Sequence, residues 1–298
     1  MPSKEHESVV QALRQVPALG DGEDFDLTAA RASMAAMTAN PQLPEGVEFQ
    51  PIMADGVPAE WVTLPESDPT KTVLYLHGGG YTLGSIDTHR GLGSRIAEAA
   101  GTRALLVDYR LAPETPFPGA VDDATAAYSF LLEQGVAPEQ IAIGGDSAGG
   151  GLTFATLLSL KEQGKPLPGA AFALSPWVDL EGLGESMQSR AEADPMVQKA
   201  GLVRMGELYL AGADPKTPLA APLYGDLSGL PPMLIQVGTA ETLLDDSIRI
   251  VERLRAAGIA VELQQYEDLI HVFQAFAPIV PESLEAITKI GAFVKSQL

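Results

Sequence analysis

The chain has 298 residues, a hydrophobic fraction of 46%, a formal net charge of −20 and no cysteine. That length and apolar content provide for one large buried core or two modest ones. The missing cysteines exclude disulfides, thiolate metal sites and a cysteine nucleophile, and the acidic balance opposes nucleic acid or anionic membranes as partners, since both would repel it.

Four scattered histidines (His6, His77, His89 and His271) give no expectation of a histidine metal site, and no cofactor is expected. No apolar stretch reaches the length of a membrane span. The opening Met1-Pro2-Ser3-Lys4-Glu5-His6-Glu7 is polar and acidic, without the basic start and apolar core of a signal peptide, so the cytoplasm is the expected location.

Residues 1–45 contain an Ala- and Met-rich helical pattern over 27–37. An apolar strand over 72–76 leads into His77-Gly78-Gly79-Gly80-Tyr81, where three glycines leave backbone N–H groups free to approach a ligand oxygen. A second strand over 104–108 runs into Asp108-Tyr109-Arg110-Leu111-Ala112-Pro113-Glu114. There Arg110 and Glu114 are expected to pin a loop, and Asp108, Asp122 and Asp123 to be structural carboxylates. A third strand over 140–144 ends at Gly145-Asp146-Ser147-Ala148-Gly149-Gly150, and residues 152–158 read as a buried helix. A serine on a sharp strand-to-helix turn flanked by glycines is a nucleophile elbow: the turn pushes the Ser147 hydroxyl outward and aims the Ala148 amide at a developing oxyanion. Asp146 is expected to brace the loop.

Continuously apolar strands, of which 170–174 is a further example, alternate with helices. That rhythm argues for an α/β fold with a mostly parallel sheet covered on both faces. Residues 179–224 interrupt it with helical periodicity at Leu202, Met205, Leu208 and Tyr209 and prolines at 215, 218 and 222. A strand over 233–238 precedes Gly238-Thr239-Ala240-Glu241-Thr242-Leu243-Leu244-Asp245-Asp246, and Ile248, Val251 and Leu254 mark one face of an amphipathic helix. Asp245 and Asp246 fall in its first turn, where negative charge is favourable. A strand over 261–266 is placed at a sheet edge, where it could pair with a second copy in a homodimer. His271 follows it and is the one histidine downstream of Ser147.

Three ordered blocks (His77-Gly78-Gly79-Gly80, Asp108 to Glu114, and Gly145 to Gly150) give the chain a resemblance, from about Lys71 onward, to the bacterial hormone-sensitive-lipase-like esterases of the α/β-hydrolase superfamily. The resemblance implies a Ser…acid…His order, with Ser147 as nucleophile and His271 as base. Against the family's usual Asp-Pro-Leu block, Glu241 takes the acid position and Leu243 matches the leucine, with Asp245 and Asp246 as competitors. Gly79, Gly80 and Ala148 would form the oxyanion hole, with His77 structural. The implied architecture is one unit, residues 1–298, with a catalytic core at 46–178 and 225–298 and a helical cap at 1–45 and 179–224. The implied activity is hydrolysis of short-to-medium acyl esters of small molecules through an acyl-serine. The same triad would serve a lactonase, an amidase or a metabolite deacetylase. A non-catalytic ligand receptor on this fold would lack a working histidine, which His271 argues against.

Overall fold

The computed structural model describes residues 1–16 and 26–298; residues 17–25 of the expected cap segment lie outside the described part. Two N-terminal helices, α1 (Lys4–Leu13) and α2 (Leu27–Met37), come first. The Asp26 side chain starts α2 by accepting from the N–H groups of Thr28 and Ala29 at 2.9 and 3.1 Å, which satisfies donors that no helical carbonyl can reach. Strands β1 (Glu48–Ala54), β2 (Val57–Thr63) and β3 (Asp68–Leu76) follow, then α3 (Ile86–Ala100), β4 (Thr102–Val107), α4 (Gly119–Glu133), β5 (Ile141–Asp146), α5 (Ala148–Glu162) and β6 (Ala170–Leu174). The short α6 (Ser186–Ser189) and α7 (Lys199–Leu210) occupy the interrupting segment, and β7 (Met233–Gly238), α8 (Leu244–Ala256), β8 (Val261–Tyr266) and α9 (Pro281–Gln297) complete the chain.

The strands form one eight-stranded sheet in the order β1-β2-β4-β3-β5-β6-β7-β8. From β4 to β8 every pairing is parallel, as the alternation of strands and helices predicts. The hairpin β1–β2, joined through Asp55 and Gly56 and paired antiparallel to β4, was not anticipated. Its outer strand is mostly exposed and carries Pro51, so no continuous apolar run announces it. β8 is an edge strand, as expected.

Inner strands are buried on both faces, and their side chains alternate between two cores. Val73, Tyr75, Ala104, Leu106, Phe172 and Leu234 meet α3 and α9 on one side. Leu74, Leu76, Leu105, Val107, Ile143 and Ile235 meet α4, α5 and α8 on the other. α8 is amphipathic, with Asp245 and Asp246 in its first turn and Arg253 and Arg255 in its last, charges that complement the helix dipole. α5 is buried over nearly its whole length, so the residue at its N-terminus is held by a core element.

Candidate active site

β5 delivers Ser147 to the start of α5 with φ 53° and ψ −120°. For a residue with a Cβ this is strained backbone, of order 1–3 kcal/mol, and it persists because the surroundings over-determine it. The Ser147 N–H donates to Leu174 O at 2.8 Å, while its carbonyl accepts from Trp177 N and Gly151 N at 2.9 and 3.0 Å. The turn also needs bare backbone: a Cβ on Gly149 would stand 2.1 Å from Leu76 O. The glycines flanking the serine are thus required by packing between β3 and α5.

The loop after β3 runs directly beside this turn. Gly79 has φ +118°, a conformation that L side chains rarely adopt. The N–H groups of Gly79 and Gly80 have no hydrogen-bond acceptor among the described residues. The N–H of Ala148 opens α5, among the amides to which the helix itself offers no carbonyl. Asp146 braces the loop as expected. Its Oδ1 accepts from Gly78 N at 3.1 Å and from the Tyr75 hydroxyl at 2.7 Å. Tyr109 Oη donates to His77 O at 2.6 Å. His77 itself is buried; burial and the neighbouring His89 push its pKa down to about 3, so it is neutral and structural.

β8 returns the chain to the same end of the sheet, and the loop after it carries His271. The His271 Nδ1 lies 2.5 Å from Glu241 Oε2. The other carboxylate oxygen, Oε1, accepts from Gly238 N at 2.8 Å and from Ser175 Oγ at 2.9 Å. Glu241 is fully buried. Burial opposes a charged ring at His271, but the hydrogen bond and charge of Glu241, with the charges of Asp194 and Asp146, outweigh it and hold the pKa above the ordinary imidazole value. Burial also pushes the Glu241 carboxyl above its ordinary range, against the opposing bonds from His271 and Ser175.

The competing carboxylates point elsewhere. Asp245 accepts from Ser186 N at 2.9 Å, and Asp246 accepts from the N–H groups of Val178 and Asp179 at 2.9 and 3.0 Å. Arg110 and Glu114 fasten their loop at two places: Arg110 pairs with buried Asp123 at 2.7 Å, and Glu114 holds Arg31 of α2 at 2.7 Å.

Ser147, His271, Gly79 and Gly80 all line one cavity of about 110 Å³, together with Asp146 and His89 and with an apolar wall that includes Met34, Met196, Leu202 and Met205. Met34 belongs to α2 and the other three to the 179–224 segment, so both segments close over the serine. No cluster of three potential ligands places a metal ion among the described residues.

Sequence reasoning overlooked Asp194, Ser175 and His89. Buried Asp194 accepts from Thr242 N at 2.9 Å through one oxygen and from Met196 N and Val197 N at 2.9 and 3.0 Å through the other. It thereby ties the cavity wall to the loop bearing Glu241. Its Asp-Pro context resembles an ordinary turn, and only the three-dimensional contact reveals the link.

Residues 73–275 match the model of a family with the α/β hydrolase fold. The chain is 47% identical to an acetyl-hydrolase of Streptomyces hygroscopicus, over 80% of this chain and 79% of that protein. It is 37% identical to an esterase of Acinetobacter venetianus, covering 86% of this chain and 84% of the relative. The crystal structure of an esterase from the bacterial hormone-sensitive lipase family superposes with a TM-score of 0.95 at 46% identity, covering 100% of this chain and 99% of that one. The chain therefore has the α/β-hydrolase fold and belongs to the bacterial hormone-sensitive-lipase family of esterases.

Proposed function

We propose that this protein is a carboxylesterase that hydrolyses short-to-medium acyl esters of small molecules through a Ser147–His271–Glu241 triad. The observation that carries the reading is the convergence of Ser147, His271 and two acceptor-free glycine amides on one small apolar cavity. Residues 46–178 and 225–298 act as the catalytic core, with 1–45 and 179–224 as the cap that shapes the acyl and alcohol pockets.

In the first step the Ser147 hydroxyl attacks the ester carbonyl and passes its proton to His271 Nε2. Glu241, fixed by Ser175 and Gly238, holds the Nδ1–H tautomer and stabilises the imidazolium. The N–H groups of Gly79, Gly80 and Ala148 receive the oxyanion, and loss of one such donor typically costs about 100- to 1000-fold in kcat. His271 then protonates the leaving alcohol, and an acyl-serine remains. Water, deprotonated by His271, releases the acid and regenerates Ser147.

The small volume of the cavity, about 110 Å³, favours a short acyl chain, and acetyl esters fall within the range, in keeping with the acetyl-hydrolase relative. Initial rates on p-nitrophenyl acetate, butyrate and decanoate test this. The reading expects acetate or butyrate to lead and decanoate to be poor; a decanoate optimum would contradict it.

A further inference from the structure

Asp146 presents a chemical difficulty. Its Oδ1 holds Gly78 N and the Tyr75 hydroxyl, yet the carboxylate sits beside Ser147 and lines the same cavity. An uncompensated anion there would oppose the negative charge that builds on the carbonyl oxygen during acylation, and in a water-poor site that opposition is large.

His89 of α3 stands on the far side of this carboxylate and also lines the cavity. Its Nε2 is 3.5 Å from Asp146 Oδ2, and the ring is buried. Its Nδ1 faces Ser85 O at 3.3 Å and Thr88 Oγ1 at 2.7 Å. The Thr88 hydroxyl lies 2.9 Å from Ser85 O as well, and its single proton serves either that carbonyl or Nδ1. Nε2 therefore faces the Asp146 carboxylate and Nδ1 the Ser85 carbonyl, and a doubly protonated ring donates to both.

We propose that His89 is carried as an imidazolium whose task is to neutralise Asp146, so that the carboxylate can brace the glycine loop without repelling the oxyanion. His89 is on this reading a positioning residue, acting on the reacting atoms through Asp146. The inference rests on the esterase mechanism proposed above.

The surroundings agree. The titratable groups facing the pair are His77, stacked on His89 with centroids 5.3 Å apart, Tyr75 of β3, Tyr109, stacked on His77 at 4.2 Å, and His271 across the shared cavity, whose pKa the Asp146 charge helps to raise. Burial raises both tyrosines well above their ordinary range, so neither supplies a charge at neutral pH. His77 is held neutral in part by His89. On α3 itself, Asp87 and Arg90 pair with each other, and Arg90 also with Glu60. Burial alone works against a charge on His89, but Asp146 and the Ser85 carbonyl outweigh it and leave its pKa raised. That charge is lost as pH rises through the raised value, giving kcat an alkaline limb.

The experiment compares kcat across pH for wild type, His89→Gln, Asp146→Asn and the double variant. His89→Gln should lower kcat about tenfold, the size of one charge acting over several ångströms of partly desolvated protein, and should erase the alkaline limb. Adding Asp146→Asn removes the anion while keeping an acceptor for Gly78 and Tyr75, and should restore most of the loss. Wild-type kcat in His89→Gln, or a loss that Asp146→Asn does not relieve in a protein with native near-UV circular dichroism, would overturn the proposal. Nitrogen chemical shifts of the wild-type His89 ring at about pH 7 decide its charge independently of variant folding and of whether Ser147 is the nucleophile. A singly protonated ring would also overturn it.

Discussion

Replacing Glu241 by Gln is the substitution whose consequence follows most directly from the geometry. The two shapes are nearly the same, and Glu241 is fully buried. Its Oε1 accepts from Gly238 N and Ser175 Oγ, and a Gln side chain can satisfy both only by placing its carbonyl oxygen there. The amide NH₂ is then turned toward His271 Nδ1, where the carboxylate now accepts at 2.5 Å. An NH₂ group donates, so the ring must accept at Nδ1 and carry its proton on Nε2, facing Ser147. That tautomer cannot take the serine proton. A neutral carboxamide in a triad of this kind costs about 10³- to 10⁴-fold in kcat, which is about 4–5.5 kcal/mol of transition-state stabilisation. KM should change little, because Glu241 touches His271 and not the cavity. The ascending limb of the pH profile is a second readout. In the wild type it should lie above the ordinary imidazole value of 6.5, because Glu241 raises His271, and activity falls as the ring protonates below it. In the variant the limb should move to lower pH. Steady-state kinetics on p-nitrophenyl butyrate, with circular dichroism to establish folding, would measure both. A folded Glu241→Gln protein within tenfold of wild-type kcat would refute the reasoning, and a large loss in Asp245→Asn instead would relocate the acid.

Three further expectations concern the frame around the site. Asp246 is buried with one oxygen unpartnered, and burial pushes its carboxyl up to about 7. Its folded value lies above the unfolded one, so the stability it supports is full below about pH 4 and is lost as pH rises through about 7. Asp246→Asn, which keeps an acceptor for Val178 and Asp179, should raise stability by about 1–3 kcal/mol near pH 8 and by little near pH 4; equal urea midpoints for the two proteins at pH 8 would contradict this. Arg31 ties α2 to Thr82 O at 2.8 Å, to Ala112 O at 3.0 Å and to Glu114, while Met34 of the same helix lines the cavity. Arg31→Ala should raise KM several-fold with kcat within about twofold, since the helix loses its latch and not the triad. The exposed edge of β8 should pair with another copy, and sedimentation velocity at micromolar concentration should show a dimer; a monomer at all concentrations would remove that expectation.

What the sequence made legible was what local chemistry encodes. Ser147 announces itself because an elbow needs a strand, small residues and a helix in immediate succession, all within one window. His271 was reached by chain order, and Glu241 through a resemblance that matched Leu243 alongside it. The structure puts Glu241 on His271 and turns Asp245 and Asp246 to other backbone amides. The parallel sheet was legible because strands buried on both faces are continuously apolar. The β1–β2 hairpin escaped because its outer strand is solvent-facing and carries no such run. Asp194, Ser175 and His89 escaped for another reason: each acts through a contact with a distant segment, and a buried carboxylate or imidazole has no local signature. Arg110 and Glu114 show the same limit: their block reads as a loop pin, but the partners that fasten it, Asp123 and Arg31, are visible only in the fold.

The central claim is that the reaction passes through an acyl group on Ser147. Rapid quenching of enzyme and p-nitrophenyl acetate into acid, followed by peptide mass spectrometry, tests it most directly. The account expects one acetyl group per chain on the peptide bearing Ser147, decaying as acetate appears, and neither adduct nor turnover in Ser147→Ala. An acetyl group on a different residue, or full turnover by Ser147→Ala, would contradict it.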